Sequence, residues 1–341
     1  MHIEIITTPN DKLKESGFGS LAACNSVLET IQKMDYSVRL NVCESKNDLD
    51  EIAKRKPDLV VLAVKYISVK HEDDIWLSDY FARHEINFTG SLREVLKFDS
   101  NKVLAKTHLA NKGIKTASYF IATPGQFKKE SDLPVAFPLF IKPLDAANGN
   151  GIDDLSFVTN FAGYKSKVRS LYNSFNQPVL AEEYLDGREF TVAVIKTEIK
   201  KLIVSAVEVI PPTSSHGLRI LGAQAKKDDS EKLIEIVDNE VKDRVTALAI
   251  DAFNTLGVRD FGRIDIKTDN HGECYFMEAN LVPGMTYGSS YFPVACDIAH
   301  EYTYDKVIDL LLAAGLARAR ATSTVPPYIQ PGASEKFVAV T

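Results

Sequence analysis

Cysteine is scarce and scattered. The chain has four, Cys24, Cys43, Cys274 and Cys296, with no Cys-x-x-Cys pair and no histidine cluster. That spacing argues against a zinc site and suits a reducing cytoplasm. Long apolar runs are missing too. The best, around Leu310–Ala314, is a short helical segment far below the roughly 18 residues that a membrane span needs. Positive charge is not in excess: 40 Lys and Arg stand against 46 Asp and Glu, a net charge of −6 with the signs interspersed. This excludes a general nucleic-acid or anionic-membrane surface. The opening Met1-His2-Ile3-Glu4-Ile5-Ile6 is too short and too acidic for a signal peptide and reads as a buried first strand. Internal repeats and low-complexity tracts are absent. What remains is ordinary globular composition, 45% hydrophobic and 25% charged, over 341 residues. At roughly 150 residues per domain, that length predicts two or three domains. A soluble, cytoplasmic, multidomain enzyme is the expectation.

Residues 1–95 alternate strand and helix signals. Strands are predicted at Ile3–Ile6, Val38–Val42, Leu59–Val64 and Ile86–Thr89, and helices over Leu21–Met34, Asn47–Lys54 and Ile75–Arg83. Nearly unbroken apolar strands between helices predict an open parallel α/β domain. Ser91-Leu92-Arg93-Glu94 has the form of a capping box where the pattern changes. Residues 96–185 read as an α+β lobe, with helices over Asn101–Asn111 and Phe161–Tyr172 and strands at Ser118–Ile121, Phe137–Ile141 and Val179–Glu182. Residues 186–315 read as a second α+β lobe. Its strands are Phe190–Ile195, Leu202–Val209, Gly262–Lys267 and Cys274–Ala279, the last two a hairpin, and its long helix is Ser230–Leu256. The irregular stretch 211–229 is a candidate lid, and 316–341 reads as a tail.

Chemistry-bearing residues gather in three places. In the hairpin, Glu278 and Asn280 are two apart and share a face, and Asp265 joins them across the turn. Three hard oxygen ligands on one face suit Mg²⁺, with nucleotide phosphates completing the shell. Lys142 ends an apolar strand just before the small-residue loop Ala146–Gly151, where it can meet phosphate oxygens while loop N–H groups of Asn148 and Gly149 close over them. The extended stretch Glu182-Glu183-Tyr184-Leu185-Asp186-Gly187-Arg188-Glu189 offers backbone groups to an adenine edge and a carboxylate, Glu189, to ribose hydroxyls.

Together these pieces resemble the ATP-grasp superfamily, and within it the D-alanine–D-alanine ligase family. The resemblance is carried by Gly262-Arg263-Ile264-Asp265 and Met277-Glu278-Ala279-Asn280-Leu281-Val282-Pro283-Gly284-Met285-Thr286, with Phe140-Ile141-Lys142-Pro143 and Glu182–Glu189 in the expected order. It implies three domains, an open parallel α/β domain followed by two α+β lobes that hold ATP between them. By this likeness Lys102 and Lys142 bind phosphates. Glu182 with the backbone of Glu183 and Leu185 holds adenine, Tyr184 flanks it, and Glu189 takes the ribose. Asp265, Glu278 and Asn280 hold two Mg²⁺ ions, or Mn²⁺ in their place. Lys226 or Lys227 reaches the γ-phosphate from the lid, Arg263 stabilises an oxyanion, and Gly284, Ser289 and Ser290 meet the acceptor's carboxylate. The implied reaction joins a small-molecule carboxylate donor to an amine acceptor through an acyl phosphate, in a cytoplasmic homodimer without nucleic-acid or membrane partners. A D-alanine–D-alanine ligase proper and a non-catalytic ATP-binding protein are the rival readings.

The likeness breaks at the donor. The family carries a Glu-Val-Ser segment after its first strand, and its glutamate holds the donor ammonium. Here the region reads Lys14-Glu15-Ser16-Gly17-Phe18-Gly19-Ser20, with Phe18 at the glutamate's place and Glu15 or Ser20 as substitutes. The phosphate loop also lacks the family's serines, and Asp145 stands where a basic residue is common. An unmatched ammonium forfeits a contact of about 1.5–3 kcal/mol, about ten- to a hundredfold in affinity. The expected donor is therefore not D-alanine, while the acceptor is expected to be an amino acid.

Overall fold

The computed structural model describes residues 1–9, 17–69, 73–144, 149–213, 217, 219–222, 228 and 230–324. At the start, β1 (His2–Thr7), β2 (Ser37–Val42) and β3 (Leu59–Leu62) form a parallel sheet in the order β2-β1-β3. Helices α1 (Leu21–Lys33) and α2 (Lys46–Lys54) make the crossovers. Leu59 to Leu62 are all buried, as a parallel strand covered on both faces requires. Both helices begin on a serine: Ser20 Oγ accepts from the Ala23 N–H, and Ser45 pairs reciprocally with Asp48. The helix predicted from Ile75 starts later. Ile75–Trp76 (β5) pairs with Tyr66–Ile67 (β4) as a short ribbon before α3 (Leu77–Arg83). Of the predicted strand at Ile86–Thr89, Phe88 alone bridges, in parallel, to Val60.

The capping-box reading of Ser91 is corrected. Helix α4 (Arg93–Ser100) starts without a side-chain cap, because the Ser91 hydroxyl instead accepts the Arg259 N–H at 3.0 Å. Helix α5 (Lys102–Ala110) follows, capped by Asn101 on the Leu104 N–H. Next come β6 (Tyr119–Ala122), β7 (Leu139–Pro143), β8 (Phe157–Val158), α6 (Phe161–Phe175) and β9 (Val179–Glu183). Their antiparallel sheet has the order β6-β9-β7-β8, and α6 lays Tyr164, Val168 and Leu171 onto it in a core of its own.

The last sheet comprises β10 (Glu189–Lys196), β11 (Leu202–Ile210), β12 (Lys232–Glu235), β13 (Phe261–Thr268) and β14 (Cys274–Asn280), antiparallel in the order β12-β11-β10-β13-β14. The predicted helix from Ser230 is thus corrected. Its first residues pair with β11 as an edge strand, and the helix α7 (Asn239–Thr255) opens where Asp238 caps the Val241 N–H. Two more helices follow, α8 (Tyr291–His300) and α9 (Tyr304–Thr324). Helix α9 runs through residue 316, where the sequence suggested a tail, and Leu316 and Ala319 are buried. Gly315 lets it approach β3, since a Cβ there would lie 2.8 Å from Leu59. Residues 325–341 and most of the predicted lid lie outside the described residues. The first and last sheets share one apolar core that includes Ile3, Ile5 and Phe18 with Phe190, Phe261 and Phe276.

Candidate active site

A cavity of about 740 Å³ opens between the four-stranded and five-stranded sheets, closed on one side by the first sheet's loops. Its lining draws on Gly17 and Gly19, Lys102, Lys142 and Gly149, the Glu182–Leu185 stretch, Glu189, Arg263, Asp265, Glu278 and Asn280, and Gly284, Ser289 and Ser290. The predicted site residues that are described therefore meet in one place. Lys226, Lys227, Asn148, Glu15 and Asp145 lie outside the described residues.

The hairpin supplies the acidic face. Its register sets Arg263 opposite Asn280 and Asp265 opposite Glu278, so all four side chains share one face of β13 and β14. Arg263 grips Asp265 with two hydrogen bonds, Nε to Oδ1 and Nη2 to Oδ2, both 2.9 Å. Thr191 and Asn280 also donate to Asp265, at 2.7 and 3.2 Å. Burial alone would lower the Arg263 pKa, but the charge and hydrogen bonds of Asp265 outweigh it and raise it above the ordinary arginine range. Glu278 pairs with Lys102 at 3.2 Å. Among the described residues no group of three or more His, Cys, Asp and Glu side chains converges. The predicted metal set has two carboxylates and one amide. Its all-oxygen donors on one face fit a hard divalent cation, which must compete there with Arg263 and Lys102.

Opposite lies a buried charge cluster. Glu182 on β9 is 1% exposed, and its oxygens meet Lys142 of β7 at 2.6 Å and Lys106 of α5 at 2.9 Å. Burial would push its carboxyl up, but the two ammonium groups hold it down at about 2. Lys106 is fully buried, and burial pushes its pKa below the ordinary lysine value against the pull of Glu182. The Glu182 carboxylate thus holds two lysines from different elements, and the residue lines the cavity. Lys106 was missed by motif reasoning. Its signal is the spacing Lys102-Val103-Leu104-Ala105-Lys106, which sets two lysines on one helix face.

The other predicted contact residues line the same cavity. Leu185 is buried beside the cavity. The Tyr184 ring sits 4.5 Å from Phe157 and 5.8 Å from the Lys267 ammonium, and Lys267 also pairs with Glu189 at 3.6 Å. Glu183 is exposed at the rim, and its N–H donates to the Ser118 carbonyl. Ser290 braces the turn at Pro283–Thr286, its Oγ accepting the Thr286 N–H at 2.8 Å. A side chain on Gly284 would come within 2.8 Å of that oxygen. Lys65, also missed, pairs with Asp99 at 2.6 Å, and Asp99 takes the Leu281 N–H at 2.6 Å, fixing the start of the same turn.

Phe18 is not on the cavity wall. It is buried, and its backbone joins Ala63 and Met285 at 2.8 Å each. Its neighbours Gly17 and Gly19 face the cavity instead. At Gly17, φ is +46° and a Cβ would lie 2.1 Å from the Ala63 carbonyl oxygen, so no side chain fits.

Known proteins resemble this chain in sequence and in fold. Residues 109–313 match the family model for the D-ala D-ala ligase C-terminus. An uncharacterised protein of Sinorhizobium fredii, y4sG, is 26% identical over 226 residues, 64% of this chain and 63% of its own, so the chain spans just under two thirds of that relative. D-alanine–D-alanine ligase B of Clostridium perfringens is 25% identical over 306 residues, covering 87% of this chain and 93% of its own. The Bacillus anthracis D-alanine–D-alanine ligase solved with ATP superposes with a TM-score of 0.72 at 22% identity, over 94% of this chain and 99% of that one. The chain belongs to the D-ala D-ala ligase C-terminus family and has the ATP-grasp fold of the D-alanine–D-alanine ligase type of enzyme.

Proposed function

We propose that this protein is an ATP-dependent carboxylate–amine ligase that forms a peptide or amide bond through an acyl phosphate, with an amino-acid acceptor and a donor other than D-alanine. The observation that carries it is the single cavity in which phosphate-type lysines, an all-oxygen acidic face and an acceptor-type turn come together from separate elements. A donor carboxylate oxygen attacks the γ-phosphorus of ATP, the bond to the β-phosphate oxygen breaks, and ADP leaves. The amine nitrogen then attacks the acyl carbon, the carbon–oxygen bond to phosphate breaks, and the nitrogen loses a proton. Lys102 and Lys142 offset charge on the transferring group. Arg263, held by Asp265 through Nε and Nη2, stabilises the tetrahedral oxyanion in this reading. Asp265, Glu278 and Asn280 would hold Mg²⁺, which supplies Lewis-acid polarisation of phosphate oxygens when bound.

Support for a different donor is the Gly17–Gly19 wall, where Gly17 admits no side chain that could reach a donor ammonium. The same reading makes the enzyme a cytoplasmic homodimer. Among the described residues no helix is long and apolar enough to cross a membrane. A heavy-oxygen label in the donor carboxylate tests the acyl phosphate directly. One labelled oxygen is expected in each phosphate released, and unlabelled phosphate would refute the mechanism.

A further inference from the structure

The carboxylates of the cavity are nearly all matched by cations. Asp265, Glu278 and Glu189 sit against Arg263, Lys102 and Lys267. Glu231 differs. It lines the same cavity immediately before β12, and its Oε1 accepts a hydrogen bond from the Tyr291 phenol at the start of α8. Its other oxygen, Oε2, is buried and has no hydrogen-bond partner among the described residues. The Tyr291 ring in turn lies 5.1 Å beneath the Arg263 guanidinium, whose Nε and Nη2 hydrogen bonds go to Asp265. Burial and the bond to Glu231 hold the Tyr291 phenol well above its ordinary pKa, so it stays a donor at neutral pH.

A carboxylate held in one orientation by a neutral phenol, with its second oxygen sealed from water, is costly unless a ligand completes it. The position names the ligand's end. Tyr291 follows Ser290 in the chain and lies against Arg263, so Glu231 belongs to the acceptor half of the cavity. An aliphatic acceptor would leave Oε2 unpaired, whereas an ammonium at the end of a side chain would supply both the donor and the opposite charge. We propose that Glu231, positioned by Tyr291, is a specificity-determining residue that selects an acceptor amino acid carrying a side-chain ammonium. This rests on the ligase reading above for which half of the cavity holds the acceptor.

The test is equilibrium binding to the full chain with Mg²⁺ and a non-hydrolysable ATP analogue. Lysine and ornithine, in both enantiomers, are compared with norleucine and norvaline, which lack the terminal ammonium alone. At least one diamino acid is expected to bind about ten- to a hundredfold more tightly than its neutral match. Glu231→Gln should bring that ratio close to one. A ratio near one in the parent protein, or a large ratio that survives in Glu231→Gln, would overturn the proposal. If Glu231→Gln does not fold, Tyr291→Phe serves instead: it keeps the carboxylate but removes its anchor and should shrink the ratio several-fold, and an unchanged ratio again overturns the proposal. Phosphate release measured in parallel separates the two claims. Glu231-dependent binding with no phosphate release from ATP across a grid of carboxylate donors would contradict the ligase reading and leave the selectivity standing.

Discussion

Glu182 ties together two lysines that arrive on different elements, Lys106 on α5 and Lys142 on β7. Because its carboxyl is held at about 2 in the folded protein, against 4.5 ordinarily, it contributes stability that is full above about pH 4.5 and lost as the pH falls toward 2. Glu182→Gln is therefore expected to destabilise the protein by about 3–5 kcal/mol at neutral pH, since it leaves Lys106 buried without its counter-charge. Urea unfolding at several pH values checks this, and the gap from the parent should narrow between pH 4.5 and pH 2. A gap independent of pH would refute the assignment. Gly17 makes a second prediction at this scale. Gly17→Ala forces a Cβ into the Ala63 carbonyl at positive φ, so it should cost more than about 1 kcal/mol in the same assay. Spacing in the chain was enough to place Asp265, Glu278 and Asn280 on one face, because two-residue periodicity is local. The role of the Glu182 carboxylate was not legible, because which side of β9 is sealed from water depends on α5, which lies some 70 residues earlier.

Among the elements, α9 and the end of the first sheet are joined through one acid. Asp260 is 2% exposed, receives two hydrogen bonds from Arg318 at 2.7 and 2.8 Å, and accepts the Gly90 N–H at 2.9 Å. Arg259 beside it reaches the carbonyls of Gly90 and Phe88, and burial pushes its pKa down to about 10. Asp260→Ala should cost about 3–5 kcal/mol, because two partly buried guanidinium groups lose their counter-charge. Amide exchange along α9 should accelerate with it, and unchanged exchange there would contradict the tie. The strands and most helices were readable from apolar periodicity, as at Leu59–Leu62 and α1. The misreadings share a cause. Lys232–Glu235 is an edge strand only because β11 offers it a partner, and Ser91 looks like a cap until Arg259 claims its hydroxyl. Both partners are remote in sequence, and local pattern carries no trace of them.

At the scale of the molecule, the four-stranded sheet keeps its own core, while the first and last sheets share another. The cavity lies along the seam between these two bodies, so its two walls are free to be set by what binds between them. Chemistry should then depend on both walls at once. Glu278→Gln, on the hairpin wall, is expected to abolish turnover and leave the melting temperature within a few degrees, and full activity in that variant would remove the acidic face from the mechanism. The most direct measurement is phosphate release from ATP and Mg²⁺, first with D-alanine as the only organic substrate and then across a grid of carboxylates and amino acids, with products identified by mass. The prediction is silence with D-alanine alone and release only when a particular carboxylate and a particular amine are both present, with their amide as product. Release with formation of the D-alanine dipeptide would contradict the donor reading, and bound ATP without release for any pair would contradict the ligase itself.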